Sequence, residues 1–185
     1  MDDLEAKVQE LLDRQAILDC LHRINRGIDR DDLDLVASCY HPDALDDHGF
    51  YVGSGPGMAE WAMAGHTESP SSQHHITNHL VELDGDEAHA ETYFLAVNRQ
   101  ASGAVTVACG RYLDRFERRN GEWRVAARVC IIETVIDAKV ADMMEAVDRS
   151  FAPYTRDRSD LSYQRPLTVN RRSAADEHRP ATEKH

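Results

Sequence analysis

Asp29 and His74 are the two side chains in this sequence best suited to moving a proton without a cofactor. A carboxylate that is hydrogen-bonded to one imidazole nitrogen fixes the ring tautomer, and it stabilises the imidazolium formed when the other nitrogen takes up a proton. If the fold brings the two residues together in a pocket, the sequence predicts a proton-transfer dyad. The alternative is structural, with Asp29 capping or solvating a helix end and His74 hydrogen-bonding the backbone.

The elements that must position this pair differ between the two halves of the chain. Residues 3–29 carry apolar side chains at steps of three, four and seven, which predicts a long helix that ends at Asp29. Asp31 or Asp32 then caps a second short helix, which His41-Pro42 stops. A strand over residues 43–52 and a helix over residues 57–65 are expected next.

From residue 73 onward the pattern is typical of β-structure. Strands are expected near 74–84, 86–100, 104–119 and 122–137, followed by a helix over 139–151. Asp84-Gly85 and Asn120-Gly121 are dipeptides that close tight hairpins. The sequence therefore predicts one α+β domain over residues 1–152, with a curved antiparallel sheet around the long N-terminal helix and a cavity at one end. Residues 153–185 form a C-terminal extension that is either flexible or packed on a neighbouring subunit.

The charge of the chain excludes some classes of partner. With 21 basic and 33 acidic residues, the net charge of −12 argues against nucleic acid and against anionic membrane surfaces. Because there is no long apolar run and no signal-peptide pattern, we expect a cytoplasmic protein. His74, His75 and His79 are poorly spaced for chelation on a strand, and neither a P-loop nor a GxGxxG motif is present. No metal and no cofactor are expected.

Four segments, at residues 27–34, 40–44, 73–78 and 111–123, resemble the SnoaL-like branch of the nuclear-transport-factor-2-like (NTF2-like) superfamily. The resemblance covers residues 10–137, and the branch includes scytalone dehydratase, lindane dehydrochlorinase and bile-acid dehydratase. It implies a cone or open barrel, and it implies that Asp29 and His74 are the catalytic dyad. The resemblance is specific for fold but weak for reaction, because one fold hosts many functions. Its members also imply a homo-oligomer, with a trimer favoured over a dimer.

Five further residues are candidates for binding a substrate. His48 stands where dehydratases of this branch place a tyrosine that polarises the substrate, although a solvated strand histidine is an equal alternative. Arg128 interrupts an apolar strand, so it either binds a substrate oxyanion or pairs with an acidic residue at a subunit interface. Tyr112, Asn78 and, more weakly, Tyr51 are expected to line the cavity.

These residues together favour a cofactor-independent lyase. Small residues along 86–100 predict a roomy, dry cavity that suits a hydrophobic aromatic or polycyclic substrate, steroids and lignin-type compounds included. His74 would remove a proton, and loss of water or retro-aldol carbon–carbon cleavage would follow. An isomerase or cyclase would use the same dyad, and a non-catalytic ligand-binding module would use the cavity without it.

Overall fold

The computed structural model describes residues 3–65 and 69–168 of the 185-residue chain. The helices are α1 (Asp3–Asp29), α2 (Leu33–Ala37), α3 (Gly55–Ala64) and α4 (Met144–Ser150). The strands are β1 (Tyr40–Asp47), β2 (Val52–Ser54), β3 (Ser71–Asp84), β4 (Glu87–Arg99), β5 (Ala104–Arg119) and β6 (Glu122–Lys139). This is the α+β architecture that the sequence predicts, with a long helix and a curved open sheet. Residues 169–185 of the expected extension lie outside the described residues.

Helix α1 covers one face of the sheet with a stripe of fully buried side chains. Ile17, Leu21, Ile24 and Ile28 follow one another at helical spacing and are all buried. They pack against side chains from the middle and far end of the sheet, including Val81, Ala88, Phe116, Trp123 and Val125. The exposed first turns of α1 do not contribute to this stripe. The helix therefore holds its last residue, Asp29, against the sheet.

The six strands form one sheet in the order β2-β1-β6-β5-β4-β3. The pairs from β3 to β6 are antiparallel, as is β1 with β2. Strand β1 runs parallel to β6, so the expectation of a wholly antiparallel sheet is corrected at this pair. The parallel pairing is possible because β1 and β6 are joined by the rest of the sheet rather than by a hairpin. It places the end of β1 beside the middle of β6.

The two predicted turns close their hairpins with the expected backbone. Asn120 and Gly121 both have positive φ, at 55° and 81°, which is the geometry of a tight turn between β5 and β6. Gly85 adopts a φ of 62° between β3 and β4. Because these turns fix the pairing register, they also fix which side chains of each strand face α1.

Beyond a bulge at Gly110, the far ends of β5 and β6 remain paired, and β4 continues beside β5 as far as Arg99. A Cβ atom at position 110 would overlap the carbonyl oxygen of Ile131, so the close approach of the strands requires glycine there. The far end of β6 exposes about half of the side chains of Ile132, Val135 and Ile136. No helix in the described part of the chain is long and apolar enough to cross a membrane.

Candidate active site

The structure brings Asp29 and His74 into direct contact. Nδ1 of His74 lies 2.7 Å from Oδ1 of Asp29, and the backbone N–H of His74 donates to Oδ2 of the same carboxylate at 2.9 Å. Both side chains are mostly buried, with exposed fractions of 15% for Asp29 and 13% for His74. Asp29 therefore holds both the ring and the strand that carries it.

The local chain explains how Asp29 reaches β3. Asp29 is the last residue of α1, and the backbone then turns sharply through Asp31, whose φ is +49°. Asp32 caps α2 by accepting from the backbone N–H of Leu35. The sharp turn ends α1 at Asp29, and the carboxylate bonds His74 of β3.

The contact also sets the tautomer of His74. An ionised carboxylate can only accept hydrogen bonds, so Nδ1 carries the proton that Asp29 accepts. Nε2 is then the ring nitrogen with a lone pair, and the structure shows no hydrogen-bond partner for it within residues 3–65 and 69–168. This arrangement presents a proton acceptor held by a buried carboxylate.

The dyad lines a groove of about 460 Å³ at the seam between α1 and the edge strand β3. Ile76, two residues beyond His74, lines the same groove and also packs against an apolar cluster made by Phe94, Ala96 and Tyr112. A different groove, of about 380 Å³, lies on the outer face of the sheet around Leu80 and Leu113 and does not reach the dyad. The groove at the seam is therefore the one relevant to chemistry.

The C-terminal strap, residues 155–163, packs on the end of α1 in the same chain. Arg156 donates to the carbonyl oxygens of Ile28 at 3.0 Å and Ser69 at 2.9 Å, so it ties together the segments that precede Asp29 and β3. Burial lowers the pKa of Arg156, and the carboxylates of Asp31 and Asp29 oppose that effect. The first part of the predicted extension is thus packed on its own domain.

Further ion pairs and a ring contact fasten the strap. Arg158 and Tyr163 both donate to the carboxylate of Asp32, at 3.0 and 3.1 Å, and the guanidinium of Arg26 lies 4.8 Å from the centre of the Tyr163 ring. Asp160 lies 3.7 Å from Arg30. These contacts join the strap to both sides of the turn that follows Asp29.

Arg128 does not face the groove, which corrects its expected role in binding a substrate oxyanion. Its guanidinium makes two hydrogen bonds to Asp114, at 2.7 and 2.9 Å, and neither side chain has any exposed surface. It also lies 4.2 Å from the centre of the Tyr112 ring. The acidic partner that the sequence left open is therefore Asp114 of the neighbouring strand, not a residue of another subunit.

A second carboxylate–imidazole pair lies at the other end of the sheet. Oδ1 of Asp46 is 2.9 Å from Nδ1 of His48, and Oδ2 of Asp46 accepts from the hydroxyl of Tyr40 at 2.8 Å. Burial raises the pKa of Tyr40, which keeps its hydroxyl a donor. Asp46 and Tyr40 were not among the predicted site residues. The sequence did contain the signal for Asp46, since Asp46 and His48 fall on the same face of the predicted strand over residues 43–52.

Aromatic rings surround His48. Its ring centre is 5.9 Å from that of Tyr112 and 6.2 Å from that of Trp61, while Tyr112 stacks on Phe94 at 4.4 Å. Tyr51 stacks on Trp61 at 5.7 Å, and its hydroxyl donates to the carbonyl oxygen of Ser54. Tyr112 and His48 thus share one apolar wall, and Tyr51 reaches that wall through Trp61.

Asn78 lies outside the inner face, so the expectation that it lines the cavity is wrong. A bulge between Ile76 and His79 shifts the alternation of β3 and turns Asn78 outward, where it is exposed. His79 takes the inward position instead and bonds the hydroxyl of Thr92 at 2.8 Å. Across the described residues, no group of three or more His, Cys, Asp or Glu side chains is arranged to hold a metal ion.

Comparison with known proteins identifies the family of the chain. The SnoaL-like domain profile matches residues 9–129, and no curated protein matches the chain. A protein assigned as a scytalone dehydratase from Novosphingobium aromaticivorans superposes with a TM-score of 0.66 at 17% identity, over 73% of this chain and 93% of that one.

Two further solved structures superpose to a similar extent. The type 2 hexachlorocyclohexane dehydrochlorinase LinA gives a TM-score of 0.65 at 20% identity, over 73% and 95% of the two chains. A Mycobacterium tuberculosis protein of unknown function gives 0.61 at 24% identity, over 82% of each chain. At these identities, the similarity establishes the fold and not the reaction.

Proposed function

The chain belongs to the SnoaL-like family of the NTF2-like superfamily, and we propose that it is a cofactor-independent lyase acting on a hydrophobic aromatic or polycyclic substrate. The observation that carries this proposal is the 2.7 Å contact between Asp29 and His74 at the groove. In the proposed reaction, Nε2 of His74 takes a proton from carbon or from a hydroxyl. Loss of water or retro-aldol carbon–carbon cleavage follows.

The size of the expected catalytic effects limits the substrate. A positioned general base contributes about 10²–10⁴-fold, and stabilisation of a developing oxyanion contributes about 10²–10³-fold. Together these effects suffice only for a proton that the substrate already acidifies. The substrate must therefore carry a carbonyl, a phenol or a vinylogous system next to the position that reacts.

The composition of the inner face supports a hydrophobic ring system. Phe94, Ala96 and Tyr112 form an apolar cluster, against which Ile76, Ala108 and Cys130 pack. The rings of Phe94 and Tyr112 stack on each other at 4.4 Å and are buried, so the apolar surroundings of the dyad continue inward from Ile76. The guanidinium of Arg128 lies against the Tyr112 ring but is paired with Asp114, so it is not available to bind an anionic substrate.

The proposal is tested by screening β-hydroxy ketones built on benzene, naphthalene and steroid skeletons, with product masses read by mass spectrometry. A dehydratase gives a product lighter by one water, a retro-aldol enzyme gives two fragments, and an isomerase leaves the mass unchanged. His74→Gln is expected to abolish turnover, while His89→Gln, an exposed histidine on the outer face of β4, serves as the matched control.

Two results would count against the lyase. If ligands bind equally well to wild type and His74→Gln but no product forms, neither one of changed mass nor an isomer separated by chromatography, the chain is a ligand-binding module. If turnover is found and survives His74→Gln, the dyad is not the catalytic pair.

A further inference from the structure

We propose that Arg26 and Arg30 form a carboxylate-binding site beside the dyad, so that the substrate of the proposed lyase is a hydrophobic ring compound that carries a carboxylate. This inference rests on the proposed function and narrows its substrate class. Both arginines line the groove of about 460 Å³ that also contains Asp29 and His74. The backbone N–H of Arg30 donates to the carbonyl oxygen of Arg26 at 3.1 Å, so Arg30 continues the helical turn and both side chains lie on the same side of α1.

The two guanidinium groups use little of their hydrogen-bonding capacity. A guanidinium has five N–H donors. Among the described residues, the side chain of Arg26 donates one hydrogen bond, to the hydroxyl of Ser162 at 3.3 Å, and that of Arg30 donates one, to the backbone carbonyl oxygen of Asp29 at 3.0 Å. Nε of Arg30 is buried and has no hydrogen-bond partner among them. A carboxylate oxygen in the groove is an acceptor of the kind that these donors lack.

The carboxylates of the protein leave these donors free. One of them, that of Asp160, comes within 3.7 Å of Nε of Arg30, which is too far for a hydrogen bond. Its Oδ1 accepts instead from the backbone N–H of Ser162 at 2.9 Å. Arg26 forms no ion pair with a described residue, since its guanidinium contacts the Ser162 hydroxyl and the Tyr163 ring. Arg26 is therefore the cation of the groove best placed to receive an external anion.

The arrangement suits a carboxylate in particular. A guanidinium is permanently charged and planar, and its parallel N–H groups match the two oxygens of a carboxylate. The ring of Tyr163, which is fixed by the bond of its hydroxyl to Asp32, holds the Arg26 guanidinium at 4.8 Å without occupying an N–H donor. Because Asp29 places one negative charge in the same groove, a singly charged carboxylate is favoured over a doubly charged phosphate.

The groove also sets how far the carboxylate lies from the position that reacts. Arg26 and Asp29 are three positions apart on α1, so their Cβ atoms are about 5–6 Å apart. Asp29 holds the ring of His74 at 2.7 Å, and Ile76 lines the same groove and packs against the apolar cluster. A ligand therefore places its carboxylate against α1 and its ring against Ile76, with the proton that His74 takes on the order of one ring away.

The test compares 2-naphthoate with 2-naphthamide, because the two ligands have nearly the same shape and differ in charge. Isothermal titration calorimetry on the full-length protein gives the ratio of their affinities. A hydrogen bond to a charged group corresponds to about 10- to 100-fold in affinity. We expect wild type to favour 2-naphthoate by that factor, and Arg26→Gln to lose most of the preference while still binding 2-naphthamide. Arg26→Lys, which keeps the charge without the planar fork, should retain part of it.

Control variants separate the charge of Arg26 from its contact with the strap. Ser162→Ala removes the hydrogen bond to Arg26 and keeps the cation, so the preference should remain. Arg149→Gln removes an exposed arginine of α4 and should resemble wild type. Arg30→Gln should lower the preference as well, so the inference remains testable if Arg26→Gln does not fold.

The outcomes separate this inference from the function on which it rests. If Arg26→Gln and Arg30→Gln leave the preference intact, or if His74→Gln removes it instead, the carboxylate site is refuted while the lyase proposal stands. Equal affinity of wild type for the two ligands also refutes the site. If neither ligand binds, a hydrophobic aromatic substrate is wrong and both proposals fall. If the preference follows Arg26 but no β-hydroxy ketone, with or without a carboxylate, forms product, the site stands and the lyase proposal falls.

Discussion

Replacing Asp29 with asparagine is the sharpest perturbation that the geometry allows, because it removes one acceptor and changes little else. The carboxylate accepts two hydrogen bonds from His74, one from Nδ1 at 2.7 Å and one from the backbone N–H at 2.9 Å. An amide of the same shape has a single oxygen, and its nitrogen can only donate. One of the two bonds must therefore be lost.

The loss of either hydrogen bond has a measurable effect, on catalysis in one case and on stability in the other. If the amide oxygen keeps the backbone N–H, the amide nitrogen faces Nδ1, and His74 must adopt the tautomer with its proton on Nε2, which removes the base. The corresponding change in the Ser-His-Asp triad lowers kcat by about 10⁴-fold. Because Asp29 is slightly exposed and water can replace part of the contact, we expect about 10³-fold here, or about 4 kcal/mol of transition-state stabilisation. If the oxygen keeps Nδ1 instead, an unmatched backbone donor costs about 1–3 kcal/mol of stability.

Two assays read these outcomes. The rate on whichever β-hydroxy ketone is turned over gives kcat, and the ¹⁵N spectrum of histidine-labelled protein reports which ring nitrogen of His74 carries the proton. We expect Asp29→Asn to move that proton to Nε2 together with the fall in kcat. A variant that keeps the proton on Nδ1, loses no stability and retains kcat within about tenfold would refute the tautomer argument.

Three further outcomes are expected. Asp114→Ala leaves the guanidinium of Arg128 buried without its carboxylate, so we expect a loss of about 3–5 kcal/mol, or roughly 6–20 °C in Tm, against less than about 1 kcal/mol for Arg149→Ala in an exposed pair. Burial lowers the pKa of His79, so as the pH falls the unfolded chain is protonated at His79 before the folded chain is. The free energy of unfolding, measured with urea, should therefore fall between about pH 7.5 and about pH 5.5. The fall should be less steep in His79→Gln. Light scattering after gel filtration should give a homo-oligomer, with a trimer favoured, and Ile136→Asp on the exposed far end of β6 should give the monomer.

Local patterns in the sequence were sufficient for most of the scaffold. The apolar spacing of residues 3–29 predicts α1 with its observed ends, and Asn120-Gly121 predicts the hairpin between β5 and β6, because both features depend on neighbouring residues alone. The parallel pairing of β1 with β6 was not predictable in this way. It joins segments about 80 positions apart, and nothing in a short strand such as β1 states its direction relative to a distant partner.

Some residues of the candidate site were predicted correctly and others were not. The contact between Asp29 and His74 was expected from the family resemblance, whereas Asn78 was misplaced because one bulge reverses the alternation of β3 from that point onward. Arg128 was interpreted without its partner. Asp114 is a lone acidic residue between the buried aromatic side chains of Tyr112 and Phe116, and in the hairpin that turns at residues 120–121 it lies opposite Arg128. Counting outward from that turn would have placed Asp114 opposite Ala127, because a bulge between Arg115 and Phe116 shifts the register by one residue.

The strap has a consequence for the order in which the fold is assembled. Its contacts reach back to Ile28 and Asp32, which precede it by 128 and 126 to 131 positions. During synthesis, the segments that carry Asp29 and His74 leave the ribosome and can meet well before Arg156 emerges to tie them together. The contacts of the strap therefore form after the segments that carry Asp29 and His74 have been made, so this corner of the fold is fastened last.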